Sequence, residues 1–238
     1  MLFYYFSKNS PNNDFLNTLL NKKNHEVIYN TIEENINNTE NSINTIYYGA
    51  PGTGKSYKVD SIIKELDPKF YERVTFHPEF DNASFVGGYK PVSEEVDANE
   101  VIKYKFVPQA FANIYSRAWK DLENPYYLVI EEINRGNCAE IFGEIFQLLD
   151  RNSNYSVTPS KELKEHLIKE FGDKIQHESI VKGLKLPSNL HILATMNTSD
   201  QSLYPMDSAF KRRWDWEYVP ICYDEKNDEG EENPSYHY

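Results

Sequence analysis

Gly49-Ala-Pro-Gly-Thr-Gly-Lys-Ser56 fits the spacing G-x-x-x-x-G-K-[ST] without a gap, and this stretch decides the fold. Before it, Thr45-Ile-Tyr-Tyr48 is a short β-branched and aromatic run. After it, Lys55 to Leu66 carries Val59, Ile62, Ile63 and Leu66 at helical spacing. A strand, a glycine-rich turn and a helix are what a phosphate loop requires. The glycines let successive N–H groups curl around a phosphate, and the helix N-terminus adds partial positive charge. Gly49, Ala50, Pro51, Gly52, Thr53, Gly54, Lys55 and Ser56 are therefore the candidate nucleotide-binding residues. Lys55 is expected to reach the β- and γ-phosphates, and the Ser56 hydroxyl to ligate Mg²⁺. A glycine-rich turn with an incidental lysine is the bland alternative, and the matched flanks weigh against it.

Working outward, strand and helix signals alternate. Val74-Thr-Phe-His77 reads as a strand stopped by Pro78, and Pro108 to Leu122 as a helix with Phe111, Ile114, Tyr115 and Ala118 on one face. Tyr126-Tyr-Leu-Val-Ile130 is a continuous apolar run, the pattern of a strand buried on both faces. Cys138 to Leu149 reads as one helix, Leu190 to Met196 as a strand, Leu203 to Phe210 as a helix and Trp214 to Val219 as a last strand. That alternation predicts an α/β fold, a P-loop core of five parallel strands flanked by helices. Residues 151–187, with a charged helix candidate from Ser160 to Phe171, interrupt the rhythm and read as an insertion. The expected organisation is a polar, Asn-rich segment with one weak helix over 1–44, a core over 45–220 and an acidic tail over 221–238.

A nucleotide engine needs carboxylates at the end of a buried strand beside the phosphate loop. Leu128-Val-Ile-Glu-Glu132 supplies them: Glu131 for the metal, and Glu132 to polarise the attacking water. Asn197, ending the strand Leu193-Ala-Thr-Met-Asn197, is placed to orient that water. Lys211-Arg-Arg213 precedes the last strand. Lys211 suits a helix C-terminus, whereas Arg212 and Arg213 are candidates for a charge delivered to a neighbouring subunit's γ-phosphate. Arg135 is a further candidate, with a surface ion pair as its alternative.

Composition excludes several classes. The 238 residues carry 25 basic and 37 acidic side chains, a net charge of −12, which argues against a free-standing nucleic-acid binder. Asp224 to Glu232 (DEKNDEGEE) contributes about −5 of that charge. No run approaches the ~18 apolar residues of a membrane helix. Two cysteines, Cys138 and Cys222, make no disulfide framework, so a cytoplasmic location is the default expectation.

Together the motifs resemble the McrB-like branch of the AAA+ ATPases. The resemblance rests on the phosphate loop, on Val129-Ile-Glu-Glu-Ile-Asn-Arg-Gly-Asn137 with Ile141-Phe-Gly-Glu144, and on Met196-Asn-Thr-Ser-Asp-Gln-Ser202 with Asp207 and Lys211-Arg-Arg213. Phe76-His-Pro78 and Phe85-Val-Gly-Gly-Tyr-Lys-Pro91 fit it as well. It implies a ring, usually hexameric, that hydrolyses ATP or GTP with Mg²⁺. It also implies an McrC-like nuclease partner that cuts modified DNA, with DNA met through that partner or through other domains. Gln201 stands where the branch often has Arg, and Glu131 where it usually has Asp. The helical lid expected after the last strand is missing, as is a modified-base reader, so a bare nucleotide-binding core is expected. Two other functions share these motifs: a MoxR-like remodelling chaperone, and a nucleotide-binding assembly module with little turnover.

Overall fold

The computed structural model describes residues 43–96, 99–151, 156–172, 183–199 and 204–221. The expected weak helix within 1–44 and nearly all of the acidic tail lie outside these residues, as does Gln201.

Five strands form one sheet. In chain order they are β1 (Asn44–Gly49), β2 (Tyr71–Thr75), β5 (Tyr126–Glu131), β6 (Leu190–Asn197) and β7 (Asp215–Tyr218). Their spatial order is β2-β5-β6-β1-β7, and every pairing is parallel. Parallel strands bury both faces, and β1, β5 and β6 are accordingly near-continuous apolar runs. Ile46, Leu128, Ile130, Ile192 and Ala194 point to one face, into the main core. Tyr47, Val129 and Leu193, one residue out of phase, point to the other and meet Val59 and Ile63 of helix α1 (Lys55–Ile63).

The main-core face is covered by α3 (Ala110–Lys120), which buries Phe111, Ile114, Tyr115 and Ala118. Phe142 of α4 (Cys138–Phe142) and Phe210 of α6 (Ser208–Lys211) join it, 5.5 Å apart and edge-on. Helix α5 (Lys161–Phe171) starts at a Ser160 cap and buries Leu163, Leu167 and Phe171 in the same core. It lies within the stretch 151–187.

Four features differ from the sequence expectation. The helix expected from Leu203 to Phe210 is, among the described residues, only the short α6, which starts at Ser208 because Asp207 caps it by accepting from the Phe210 N–H. The second strand starts three residues earlier than expected and ends at Thr75, because the polar pair Glu72 and Arg73 is tolerated at a sheet edge. The helix expected over 138–149 breaks at Gly143, whose φ of 50° ends α4, and the chain continues as a 3₁₀ turn over Gly143–Leu149. An unanticipated antiparallel hairpin, β3 (Gly87–Val96) with β4 (Asn99–Pro108), follows the short helix α2 (Asn82–Phe85).

Parallel strands place all their C-terminal ends on one edge. Gly49 pairs with Asn197, Ile130 with Ala194 and Thr75 with Glu131, so the phosphate loop, the acids and Asn197 share that edge.

Candidate active site

The phosphate loop leaves β1 where the backbone is crowded. A Cβ on Gly49 would lie 2.4 Å from the Val219 carbonyl oxygen, so only glycine fits there. Gly54 then turns into α1 with φ 85°, a left-handed conformation open to glycine. No side chain caps α1 and its first turn holds no acid, so its leading N–H groups face the loop. Lys55 is almost fully buried. Its ammonium donates to the carbonyls of Ala50 (2.6 Å) and Gly49 (3.3 Å), within the curl where phosphate oxygens would offer stronger acceptors.

Opposite lies the acidic edge. Glu131 ends β5 on the α1 side of the sheet, in phase with Val129, and its Oε2 accepts from Ser56 Oγ at 3.0 Å. The same Oε2 accepts a short hydrogen bond from Thr195 Oγ1. Oε1 is buried without a hydrogen-bond partner, 3.8 Å from Arg73, which is itself paired with Asp60 of α1. A carboxylate oxygen beside a serine hydroxyl, as Oε2 is beside Ser56, suits a hard, oxygen-seeking cation shared with phosphate and water. Ser56 and Glu131, joined at 3.0 Å, are the residues that could hold Mg²⁺ here.

Simple strand alternation would turn Glu132 to the opposite face. Instead Glu132 adopts φ 54° and ψ 45°, the only positive-φ non-glycine residue among those described. Such a conformation costs on the order of 1–3 kcal/mol and persists where surroundings over-determine it. Here they do: its N–H donates to Thr195 Oγ1 (3.1 Å), and its two carboxylate oxygens accept from Asn197 Nδ2 at 2.7 and 2.8 Å. Asn197 is in turn held through its carbonyl by Asn134 Nδ2 (2.7 Å), and Arg135 lies 3.4 Å from Glu132 Oε2. Below the turn, the Cys138 thiol donates to the Ile133 carbonyl (3.1 Å). Burial pushes that thiol up to about 12, so it stays protonated.

Residues 44–214 match the AAA domain of the dynein-related subfamily. The chain belongs to this family. It is 40% identical over 203 residues to YdiS, a component of the type II restriction enzyme BsuMI of Bacillus subtilis (strain 168). It is 29% identical over 178 residues to the EcoKMcrB subunit, a type IV methyl-directed restriction enzyme of Escherichia coli (strain K12). These matches cover 75% and 72% of this chain but 57% and 34% of the two relatives, so the chain spans about half or less of the curated relatives it matches. The five-stranded parallel sheet with its helices is the P-loop AAA+ α/β fold.

Within this AAA domain the expected residues separate into two groups. The loop 49–56, Glu131, Glu132, Arg135 and Asn197 meet at one edge. Arg212 and Arg213 lie beyond α6 and differ from each other. Arg213 is drawn inward, its guanidinium 4.2 Å above the Phe146 ring and donating to the Ala209 carbonyl at 2.6 Å, whereas Arg212 is exposed. Sequence reasoning missed Thr195 and Arg73. Period-two spacing back from Asn197 places Thr195 on the face of Leu193, which was the available signal for the first.

Proposed function

We propose that this chain hydrolyses a nucleoside triphosphate, ATP or GTP, with Mg²⁺, as the motor subunit of a McrB-like restriction system specific for modified DNA. The observation that carries the hydrolytic reading is the joined edge: Ser56 hydrogen-bonded to Glu131, and Glu132 to Asn197. Mg²⁺ held by Ser56 and Glu131 would neutralise charge between the β- and γ-phosphates. Lys55 exchanges the carbonyls of Gly49 and Ala50 for phosphate oxygens. Glu132 accepts the proton of the attacking water, and the Asn197 amide aligns that water without adding charge. Arg135, ion-paired to Glu132, steadies that carboxylate.

An arginine supplied across a subunit boundary completes the site, and exposed Arg212 suits that role better than inward-held Arg213. This requires a ring, hexameric by analogy with the branch. Both relatives are parts of restriction enzymes, which supports an McrC-like nuclease as partner. The net charge of −12 favours DNA contact through that partner or through other domains. A cytoplasmic setting follows from that reading. The AAA+ core then runs over 45–220 with 151–187 as its insertion.

The test is transformation by methylated and unmethylated plasmid of cells expressing the chain together with an McrC-like nuclease. Selective loss of methylated plasmid that disappears with Lys55→Ala is expected. Equal transformation by both plasmids would remove the restriction reading, and an equally active Lys55→Ala variant would remove the nucleotide motor.

A further inference from the structure

The two acids of the edge are joined by one hydroxyl. Thr195 is 2% exposed, and its Oγ1 donates its single hydrogen to Glu131 Oε2 while accepting the N–H of Glu132 at 3.1 Å. Its neighbour in phase, Leu193, packs in the core beneath α1, and β5 fixes β6 alongside with Ile130 opposite Ala194. The hydroxyl is therefore held on a rigid strand.

We infer that Thr195 is a positioning residue that sets both acids, fixing the Glu131 carboxylate beside Ser56 and holding the turn that carries Glu132 to Asn197. Two consequences follow from the geometry. Hydrogen bonds from Thr195 and Ser56 to Oε2 hold the Glu131 carboxylate in one orientation, with Oε2 beside the Ser56 hydroxyl and Oε1 turned toward Arg73 at 3.8 Å. A flexible glutamate is thus held in one orientation, despite carrying one more methylene than the aspartate usual in this branch. The second consequence concerns Glu132. Its N–H would be an unsatisfied donor in this left-handed turn without Thr195, and the turn aims its carboxylate at Asn197. Groups one bond removed from a metal ligand orient it, and their loss weakens the metal more than the fold.

This inference rests on the nucleotide-hydrolysing reading, and the experiment separates the two. Thr195→Val keeps the side-chain shape and deletes the hydroxyl, while Thr195→Ser restores it. The probes are fluorescent, non-hydrolysable ATP and GTP analogues bound in EDTA and across a Mg²⁺ titration, with thermal unfolding followed in parallel. In Thr195→Val the Mg²⁺ concentration giving half of the metal-dependent tightening should rise ~10- to 100-fold, and Thr195→Ser should return it to within about threefold of wild type. Affinity in EDTA should be unchanged in all three proteins. If Thr195→Val fails to fold, Thr195→Ala carries the same comparison. An unchanged Mg²⁺ titration in a folded Thr195→Val or Thr195→Ala variant overturns the inference, even if the melting temperature falls. So does an equal shift in Thr195→Ser. Wild-type protein that binds neither analogue more tightly with Mg²⁺ instead overturns the hydrolytic reading, and Thr195's role with it.

Discussion

The C-terminal edge of the parallel sheet and the β3–β4 hairpin use polar residues in opposite ways. At the edge, Glu131, Glu132, Thr195 and Asn197 are held by one another, and few of their donors and acceptors lack a partner. Along the hairpin, Lys90, Lys103 and Lys105 lie on one face, with Glu94 paired to the latter two. On the other face Tyr89, Ile102 and Tyr104 are more than half exposed. Position is therefore over-determined at the edge and loosely constrained along the ribbon. A side chain removed from the first region leaves partners stranded in a dry setting; one removed from the second leaves water in its place.

The sharpest way to break this contrast is Lys55→Ala. The buried ammonium supplies the loop's positive charge, so nucleotide hydrolysis should fall below detection, and the melting temperature should drop because the Gly49 and Ala50 carbonyls lose their donor. Wild-type turnover in that variant would show that the edge is not a phosphate site. Next in size is the arginine pair. Arg212→Ala should lower turnover by ~10³-fold without loss of stability, as expected of a charge acting in trans. Arg213→Ala should cost about 1–2 kcal/mol of stability, because its contact with Phe146 and its bond to Ala209 are internal. Turnover per chain that is independent of protein concentration, with equal kinetic defects in both variants, would erase the distinction.

A smaller effect is expected at the opposite end of β6. His191 is 8% exposed, stacks on Tyr127 at 5.1 Å and accepts from the Ile43 N–H through Nδ1 (3.4 Å). Burial, aided by the charge of Arg151, pulls its pKa down to about 4, so the folded protein holds it neutral. The unfolded chain takes up a proton near pH 6.5 and the folded one does not. Stability is thus fully present above pH 6.5 and lost as pH falls toward 4, by about 3 kcal/mol at pH 4. Urea unfolding at pH 7 and pH 4 should show that loss in wild type and a smaller one in His191→Gln. Smallest of all, Ile102→Thr and Tyr104→Ser in the hairpin should each shift unfolding by less than ~0.5 kcal/mol and leave turnover unchanged. A larger drop would mean the ribbon packs against something on which the catalytic edge depends.

The same contrast explains what the sequence could tell. Leu128-Val-Ile130 and Ile192 to Ala194 are legible because a strand buried on both faces is a near-continuous apolar run. The phosphate loop is legible because only its glycines fit the turn, as the crowding at Gly49 shows. The hairpin sends no comparable signal. Ile102-Lys-Tyr-Lys-Phe106 does alternate, but its partner Tyr89-Lys-Pro-Val-Ser-Glu94 carries a proline and no clean period, and neither strand buries a face deeply. Nor does the sequence announce the left-handed Glu132, since a glutamate seldom takes that conformation and the Thr195 bond that supports it spans 63 positions. The break at Gly143 was visible as a glycine inside a helical run, yet the apolar spacing on both sides of it suggested one helix.

The most direct test of the account is the state of the nucleotide on Glu132→Gln. Wild-type and variant protein are incubated with Mg²⁺ and ATP or GTP, separated from free nucleotide and denatured, and the bound nucleotide is resolved by ion-exchange chromatography. Diphosphate on wild type and intact triphosphate on Glu132→Gln, at similar occupancy, is the predicted result. Diphosphate on both at equal rates would contradict the assignment of Glu132, and with it the reading of this edge as a hydrolytic site.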